Sequence, residues 1–207
     1  MDRLLKSLEV FKYNNKKRIG RNTNGGHVIG IFDNNIYDSF IECGITYERS
    51  FTKSFLNSYN HLQKGDCHVF DANIKNYPSK YLDKVTYFKK IITDLTNEKE
   101  TNLSDIFDKY DNIFLKVNLQ DYIWLSYVST DNLKKIKQMV IIFHDLANDI
   151  NMDEKISCLE KIKQTHYIIH AHASNDKGIQ DGIPEILEVT YASKELFEEL
   201  PEWNNIR

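Results

Sequence analysis

Short apolar runs alternate with segments of helical spacing along this 207-residue chain. The apolar runs predict strands at 39–43, 67–70, 85–88, 112–117, 138–143, 167–173 and 186–192. Between several of these runs, apolar residues recur every three or four positions. This spacing predicts helices at 50–62, 103–107, 122–128, 131–136 and 153–163, with a further helix near each end, at 4–11 and 194–200.

The order of these elements predicts how the strands pair. Parallel strands need long crossover connections, whereas an antiparallel strand needs only a turn. Crossovers join the first six strands, and the last link, 174–184, suits a wide hairpin. We therefore predict an α/β fold with a seven-stranded, mostly parallel sheet and one reversed strand near its edge. A single domain would span residues 1–207. We expect an N-terminal helix and a loop or hairpin laid over the first strand in 1–36, and the core sheet in 37–207.

The clearest candidate site lies in the β-α-β unit from 37 to 71. Its first strand runs into Glu42 and Gly44, and its second strand ends on Asp71. Ligands of open α/β sheets bind at the carboxyl ends of strands, where an acid can bind a ribose. The turn lacks the G-x-G-x-x-G that a dinucleotide pyrophosphate needs, which disfavours a nicotinamide-dependent oxidoreductase. S-adenosylmethionine has a ribose and no phosphates, so it suits this turn better; an ordinary β-α-β unit with a surface Asp is the alternative.

Composition excludes several function classes. A formal net charge of -3 argues against a general nucleic-acid binder. The three cysteines are scattered without metal-ligand spacing, and with no signal peptide they indicate a reducing compartment. No apolar run is long enough to cross a membrane. We expect a cytoplasmic protein without nucleic-acid or membrane partners; its oligomeric state stays open.

Several segments, in their order and spacing, carry a resemblance from about Lys17 to Phe197. They are R-I-G-R and N-G-G-H-V (18–28), E-C-G-I (42–45), V-F-D (69–71), F-L-K-V-N-L-Q (114–120), I-I-F-H (141–144) and the closing strands (170–191). Together they resemble FkbM-type, S-adenosylmethionine-dependent methyltransferases, especially the small sugar O-methyltransferases of bacteria and large DNA viruses.

This resemblance implies a Rossmann-like class I methyltransferase fold. It also implies methylation of a sugar hydroxyl on a glycan or nucleotide sugar, in the cytoplasm or, for a viral member, in the host cytoplasm. The candidate S-adenosylmethionine-binding residues are Gly25, Gly26, Glu42, Gly44, Ile45, Ser50, Asp71 and Asn118.

One motif departs from the family pattern. The family's D-I-E-G-x-E is here Asn118-Leu119-Gln120-Asp121, with amides in place of two acids. An amide keeps a carbonyl acceptor but loses the charge. Because hard divalent cations prefer carboxylates, we expect no metal at this strand end. The same change makes a non-catalytic, cofactor-binding relative the alternative function.

Methyl transfer to a hydroxyl needs a base within hydrogen-bond reach. His144, at the end of the fifth strand, is the first candidate, since an unperturbed histidine pKa of about 6.5 suits this role. A structural histidine bonded to backbone is the alternative. Asp121 is a second candidate base or a helix N-cap, and Asn118 replaces a family Asp. His170 and His172 share a face of one strand, so one is expected to pack and the other to line the acceptor pocket, with a metal site as the alternative. His172 is a further candidate base.

Overall fold

The fold is built on strands and helices that follow the predicted order closely. The computed structural model describes residues 2–22, 25–32, 36–45, 49–75, 77, 83–148, 150–174, 178–180 and 182–202. Its strands are β1 (Lys16–Ile19), β2 (His27–Gly30), β3 (Ser39–Cys43), β4 (Cys67–Phe70), β5 (Thr86–Phe88), β6 (Ile91–Ile92), β7 (Glu100–Thr101), β8 (Ile113–Val117), β9 (Ile136–His144), β10 (His166–Ala173), β11 (Ile179–Gln180), β12 (Ile183–Pro184) and β13 (Ile186–Ser193). Its α-helices are α1 (Asp2–Ser7), α2 (Ser50–Ser58), α3 (Ser104–Phe107), α4 (Thr130–Lys135) and α5 (Met152–Thr165).

The main sheet has seven strands in the order β10-β13-β9-β8-β3-β4-β5. Strand β13 is antiparallel to both neighbours, β9 and β10, and the other neighbouring pairs are parallel. The predicted mostly parallel sheet with one reversed strand near its edge is therefore confirmed. The chain leaves β3 towards β4 and β5 and then returns to β8 on the other side of β3. The crevice between β3 and β8 is thus a topological switch point, where open α/β sheets bind ligands.

The two faces of the sheet are covered differently. Helices α1, α3, α4 and α5 contribute to the larger apolar cluster on one face. On the other face, α2 and the β1–β2 hairpin enclose a smaller cluster that contains Phe40, Phe55 and Phe114. Side chains of a strand alternate between faces, so Ile41 and Cys43 face the helical layer while Phe40 and Glu42 face the hairpin side.

The predicted N-terminal hairpin is present, but it lies elsewhere than we expected. Strands β1 and β2 pair antiparallel, and β2 packs mainly on β9, β10 and β13, not on the first core strand, β3. The fully buried Gln138 of β9 fastens it. Its side chain accepts from the Gly30 amide at 2.7 Å and donates to the Gly30 carbonyl at 3.1 Å and to the Tyr37 hydroxyl at 2.6 Å.

Both predicted terminal helices are shorter than their hydrophobic spacing suggested. The first ends at Ser7, because Val10 forms a bridge with Ile168 of the edge strand β10 and the amide of Phe11 donates to its carbonyl. The last is only a 3-10 turn, Lys194–Leu196, after which Phe197 is extended and its ring packs on Tyr167 and Tyr13. Tertiary contacts of these apolar residues thus override the helical spacing. Among the described residues, no helix is long and apolar enough to cross a bilayer.

We predict that Gln138→Leu destabilises the fold by ~2–4 kcal/mol, because the buried Gly30 amide and carbonyl would lose their partners at about 1–3 kcal/mol each. The measurement is urea unfolding, with the exposed Gln164→Leu of α5 as the matched control. Equal stability of the two variants would show that Gln138 does not hold the hairpin.

Candidate functional site

Four predicted site residues meet at the carboxyl edge of the parallel strands. Gly44 follows β3, Asp71 follows β4, Asn118 follows β8, and His144 ends β9. Because these strands are parallel neighbours in the sheet, their carboxyl ends lie on one edge. The sequence-derived grouping of these four residues at one edge therefore agrees with their positions in the sheet.

Gly44 and Asn118 bring the ends of β3 and β8 into direct backbone contact. The amide of Gly44 donates to the Phe70 carbonyl at 2.9 Å, and the amide of Asn118 donates to the Cys43 carbonyl at 2.8 Å. Gly44 has a left-handed φ of +80°, and a Cβ built on it would lie 2.1 Å from the Asn118 carbonyl oxygen. A side chain does not fit there, so the glycine is required by both conformation and space.

Asp71 ties two loops together. Its Oδ2 accepts from the Ile45 amide at 2.9 Å, and its Oδ1 accepts from the amides of Asn73 and Ile74 at 2.7 and 3.0 Å. The side chain therefore connects the loop after β3 with the loop after β4. A carboxylate oxygen has two acceptor sites, so Oδ2 can still take a hydroxyl group. Asp71 thus orders the turn and keeps an acceptor site that can bind a ribose hydroxyl.

Glu42 lies below this edge in a buried ion pair. Its Oε1 is 2.5 Å from Nζ of Lys116, and its Oε2 accepts from the Thr52 hydroxyl at 2.8 Å. Both charged residues are only 2% exposed. The sequence proposed Glu42 for cofactor binding and assigned no role to Lys116. The side-chain bonds place Glu42 as the link between β3, β8 and the first turn of α2.

The hairpin turn is attached to the start of α2. The Ser50 hydroxyl donates to the Gly25 carbonyl at 3.3 Å and accepts from the Arg21 amide at 3.0 Å. A Cβ on Gly26 would lie 2.0 Å from the Arg21 carbonyl oxygen, so only glycine fits this turn. The predicted residues Gly25, Gly26 and Ser50 are therefore brought together at the start of α2.

His144 is held by a neighbouring amide. Its Nε2 is 2.8 Å from Oδ1 of Asn118, on the next strand of the sheet. If this oxygen accepts, Nε2 carries the proton and Nδ1 keeps the lone pair. The Asn118 amide thus orients the candidate base.

A cleft of about 560 Å³ opens beside His144, on the side of α5. Asp121 lines this cleft, and its Oδ1 accepts from the Ile123 amide at 3.0 Å, at the start of a 3-10 helix (Ile123–Ser126) whose N-cap residue is Tyr122. The walls carry several acids and aromatic rings: Asp94, Asp121, Asp145, Glu154, Trp124 and Tyr127. A cleft of this size holds a small molecule.

His172 does not join this group. It lies exposed on β10, and β13 separates its strand from the strand of His144. Its ring stacks parallel to that of His170, with 6.5 Å between centroids. Among the residues that the structure describes, no group of three or more His, Cys, Asp and Glu side chains is arranged to hold a metal ion.

The structure also contains a contact between a histidine and a glutamate that the sequence did not predict. Nδ1 of His27, at the start of β2, lies 2.6 Å from Oε2 of Glu188 in β13. Burial lowers the pKa of His27. Sequence spacing gave no sign of this contact, because 160 residues separate the two partners in the chain.

Comparisons with known proteins place the chain among no described family. No protein-family model matches the sequence, and no curated protein matches it either. The resemblance to FkbM-type methyltransferases therefore stays a prediction.

Solved structures with some likeness to the chain include methyltransferases. NodS, an N-methyltransferase from Bradyrhizobium japonicum WM9 in complex with S-adenosyl-L-homocysteine, has a TM-score of 0.40 and 12% identity over 76% of this chain and 79% of its own. A Thermoplasma acidophilum protein has a TM-score of 0.39 and 12% identity, over 77% of this chain and 78% of its own. NcsB1, an O-methyltransferase from neocarzinostatin biosynthesis, has a TM-score of 0.33 and 12% identity, over 78% of this chain and 50% of its own. At such TM-scores, the fold and the site rest on this chain's own topology and contacts.

We predict that Gly44→Ala destabilises the protein by about 2–5 kcal/mol, since backbone strain and overpacking each cost about 1–3 kcal/mol. Gly182→Ala is the matched control: Gly182 also has a φ of +80°, but nothing lies within 4 Å of its added Cβ. Strain alone should cost the control about 1–2 kcal/mol. If urea unfolding gives the same loss for both variants, the contact with Asn118 does not constrain this turn.

Proposed function

We propose that the chain is an S-adenosylmethionine-dependent O-methyltransferase that acts on a sugar hydroxyl of a glycan or nucleotide sugar. The observation that carries this proposal is the group at the switch point of the sheet. There Gly44 and Asn118 meet, and Asp71 at the tip of the next strand reaches the loop after Gly44. An acid at the end of the second strand is the position that binds a ribose in open α/β sheets.

The residues present fit the cofactor. Asp71 retains acceptor capacity for the ribose hydroxyls, and the backbone turn at Gly44 offers close approach without phosphate-binding glycines. Asn118 and the Gly25–Gly26 turn, fastened to Ser50, would close the methionine end of the site. When bound, S-adenosylmethionine supplies a methyl group on a positively charged sulfur, which leaves as a neutral thioether without acid assistance.

The acceptor would enter from the cleft beside His144. This histidine, oriented by Asn118, is the base that the sequence favours, and Asp121 lies on the same cleft. Positioning the hydroxyl next to the methyl group supplies much of the rate enhancement in such a reaction. The sugar specificity rests on the family resemblance. Tyr127 in the cleft wall is exposed and offers an aromatic surface on which a sugar ring can stack, whereas Trp124 is packed in the core.

A non-catalytic relative that only binds the cofactor is the second candidate. The amides at Asn118 and Gln120, where the family has acids, favour it. The two functions separate in one experiment: calorimetry with S-adenosylmethionine, followed by incubation with the methyl-labelled cofactor and a panel of methyl glycosides. Binding with transfer supports the enzyme, binding without transfer supports the second candidate, and no binding contradicts both.

We expect Asp71→Ala to weaken S-adenosylmethionine binding by ~1.5–3 kcal/mol, the range for a lost hydrogen bond to a charged group. Asp71→Asn keeps one carbonyl acceptor and should lose less. Isothermal titration calorimetry measures the change, with the exposed Asp105→Ala of α3 as control. A folded Asp71→Ala variant with unchanged affinity would remove Asp71 from the ribose site.

We also expect methyl transfer to need no divalent cation, because amides replace the family acids at Asn118 and Gln120. The check is the transfer rate before and after EDTA treatment. A rate that disappears in EDTA and returns with Mg²⁺ or Mn²⁺ would contradict this expectation.

A further inference from the structure

The hairpin turn places a histidine–carboxylate pair against the sheet. Nδ1 of His27 lies 2.6 Å from Oε2 of Glu188, and their side chains are 9% and 14% exposed. The other carboxylate oxygen, Oε1 of Glu188, is buried and has no hydrogen-bond partner among the described residues. Neither side chain takes part in the contacts of Gly44, Asp71 and Asn118 described above.

The charges around this pair favour a neutral imidazole beside an ionised carboxylate. Burial lowers the pKa of His27, as does Lys116, against the opposing effects of Glu188 and Glu42. Burial alone would raise the pKa of Glu188. The hydrogen bond with His27 and, at the acidic pH where this carboxyl group titrates, the positive charges of His27, Arg18 and His170 outweigh burial, so the pKa of Glu188 falls.

This charge state sets the tautomer of His27. An ionised carboxylate only accepts hydrogen bonds, so Nδ1 of His27 must carry the proton and donate to Glu188. The lone pair then lies on Nε2, which is the atom that can accept a proton. Among the described residues, no hydrogen bond to Nε2 is present.

The pair lies at the level of the candidate site. Glu188 stands opposite Ile142 of β9, one residue before the Phe143–His144 end of that strand, and Val117 of β8 pairs with Ile141. Glu188 is therefore level with Asn118, the next residue after Val117. Ile142 packs in the apolar cluster on the hairpin side of the sheet, and Glu188 faces the same side through its contact with His27.

His27 also lies close to the residues proposed to bind the cofactor. The His27 ring lies 5.0 Å from the ring of Phe51, which is in the first turn of α2. That helix begins just after the loop that follows Gly44 and is joined to the hairpin turn through Ser50. His27 thus lies between the candidate cofactor turn and the strand that bears His144.

We propose that His27 is the residue that accepts the proton of the acceptor hydroxyl and that Glu188 is its positioning residue. The inference rests on the proposed function and assigns its base. Proton uptake creates an imidazolium, which a carboxylate partner stabilises more than an amide does. His27 has such a partner, because Oε2 of Glu188 lies 2.6 Å from its Nδ1.

The step balances without another reactant. The O–H bond of the acceptor breaks, and its proton passes to Nε2 of His27. The electron pair of the oxygen forms the new bond to the methyl carbon, and the pair of the former sulfur–carbon bond stays on sulfur. The products are a methyl ether, a neutral thioether and an imidazolium paired with Glu188.

The first test needs no acceptor. Protein with ¹⁵N-labelled imidazoles is titrated by NMR, and His27→Gln identifies the signals of His27. We expect a neutral His27 at pH 7 with the proton on Nδ1. Glu188→Gln removes the negative charge that raises the pKa of His27, so its protonation midpoint should move to lower pH. A proton on Nε2 in the wild type, or an unmoved midpoint in Glu188→Gln, overturns the assignment.

The second test measures single-turnover methyl transfer from labelled S-adenosylmethionine to the methyl glycoside panel, between about pH 5 and 9 around the reference histidine value. His27→Gln should lower the rate by ~100- to 10,000-fold, the usual range for a general base, with little change in cofactor affinity. In Glu188→Gln the acidic limb of the pH profile should move to lower pH, which a merely structural role would not cause. His61→Gln, at the opposite edge of the sheet beside Tyr37, is the control histidine.

The outcomes separate this inference from the proposed function. A normal rate in His27→Gln with a large loss in His144→Gln overturns the inference and leaves the methyltransferase proposal standing. Cofactor binding without transfer to any glycoside also overturns it, because the assigned base then has no hydroxyl acceptor. Absence of S-adenosylmethionine binding in calorimetry contradicts the proposed function itself. Thermal unfolding of each variant confirms that a lost rate does not reflect a lost fold.

Discussion

The backbone contact between Gly44 and Asn118 is the constraint on which the candidate site depends. It holds the carboxyl ends of β3 and β8 together at the switch point of the sheet, where the chain changes direction. The carbonyl of Asn118 occupies the space that a side chain at residue 44 would need. Because Ile45 follows Gly44 directly, this contact also positions the Ile45 amide for its hydrogen bond to Asp71.

A buried ion pair supports this arrangement from below. Glu42 and Lys116 lie on the two strands that meet at the switch point, and Thr52 extends the pair to α2. Replacing such a pair with apolar residues is often neutral, whereas removing one partner costs about 3–5 kcal/mol, because an unpaired charge stays buried. The pair therefore connects β3, β8 and α2, and the fold depends on both partners being present. Glu42, the acid of the turn motif, is therefore occupied by Lys116 and Thr52 and not available to bind a ligand.

The hairpin makes the coverings of the two sheet faces different. Where helices cover one face, β1 and β2 cover part of the other, fastened by Gln138 and by the bond from the Thr190 hydroxyl to the Val28 carbonyl. The hairpin turn then contributes Gly25 and His27 to the same edge at which β3, β4, β8 and β9 end. An N-terminal segment thus helps to build a site whose other residues come from the core strands.

The sequence by itself determined the strands, their order of connection and the reversed last strand, because these follow from local hydrophobic periodicity and from the lengths of the links. It also determined that Gly44, Asp71, Asn118 and His144 follow strand ends. Only the tertiary structure decided that Glu42 is paired with Lys116, that His172 lies on an exposed edge strand, and that the hairpin covers β9, β10 and β13. It likewise decided that the last apolar residues pack as an aromatic cluster instead of a helix. The physical reason is that these features are contacts between residues far apart in the chain. Local hydrophobic spacing does not predict which distant side chains contact each other.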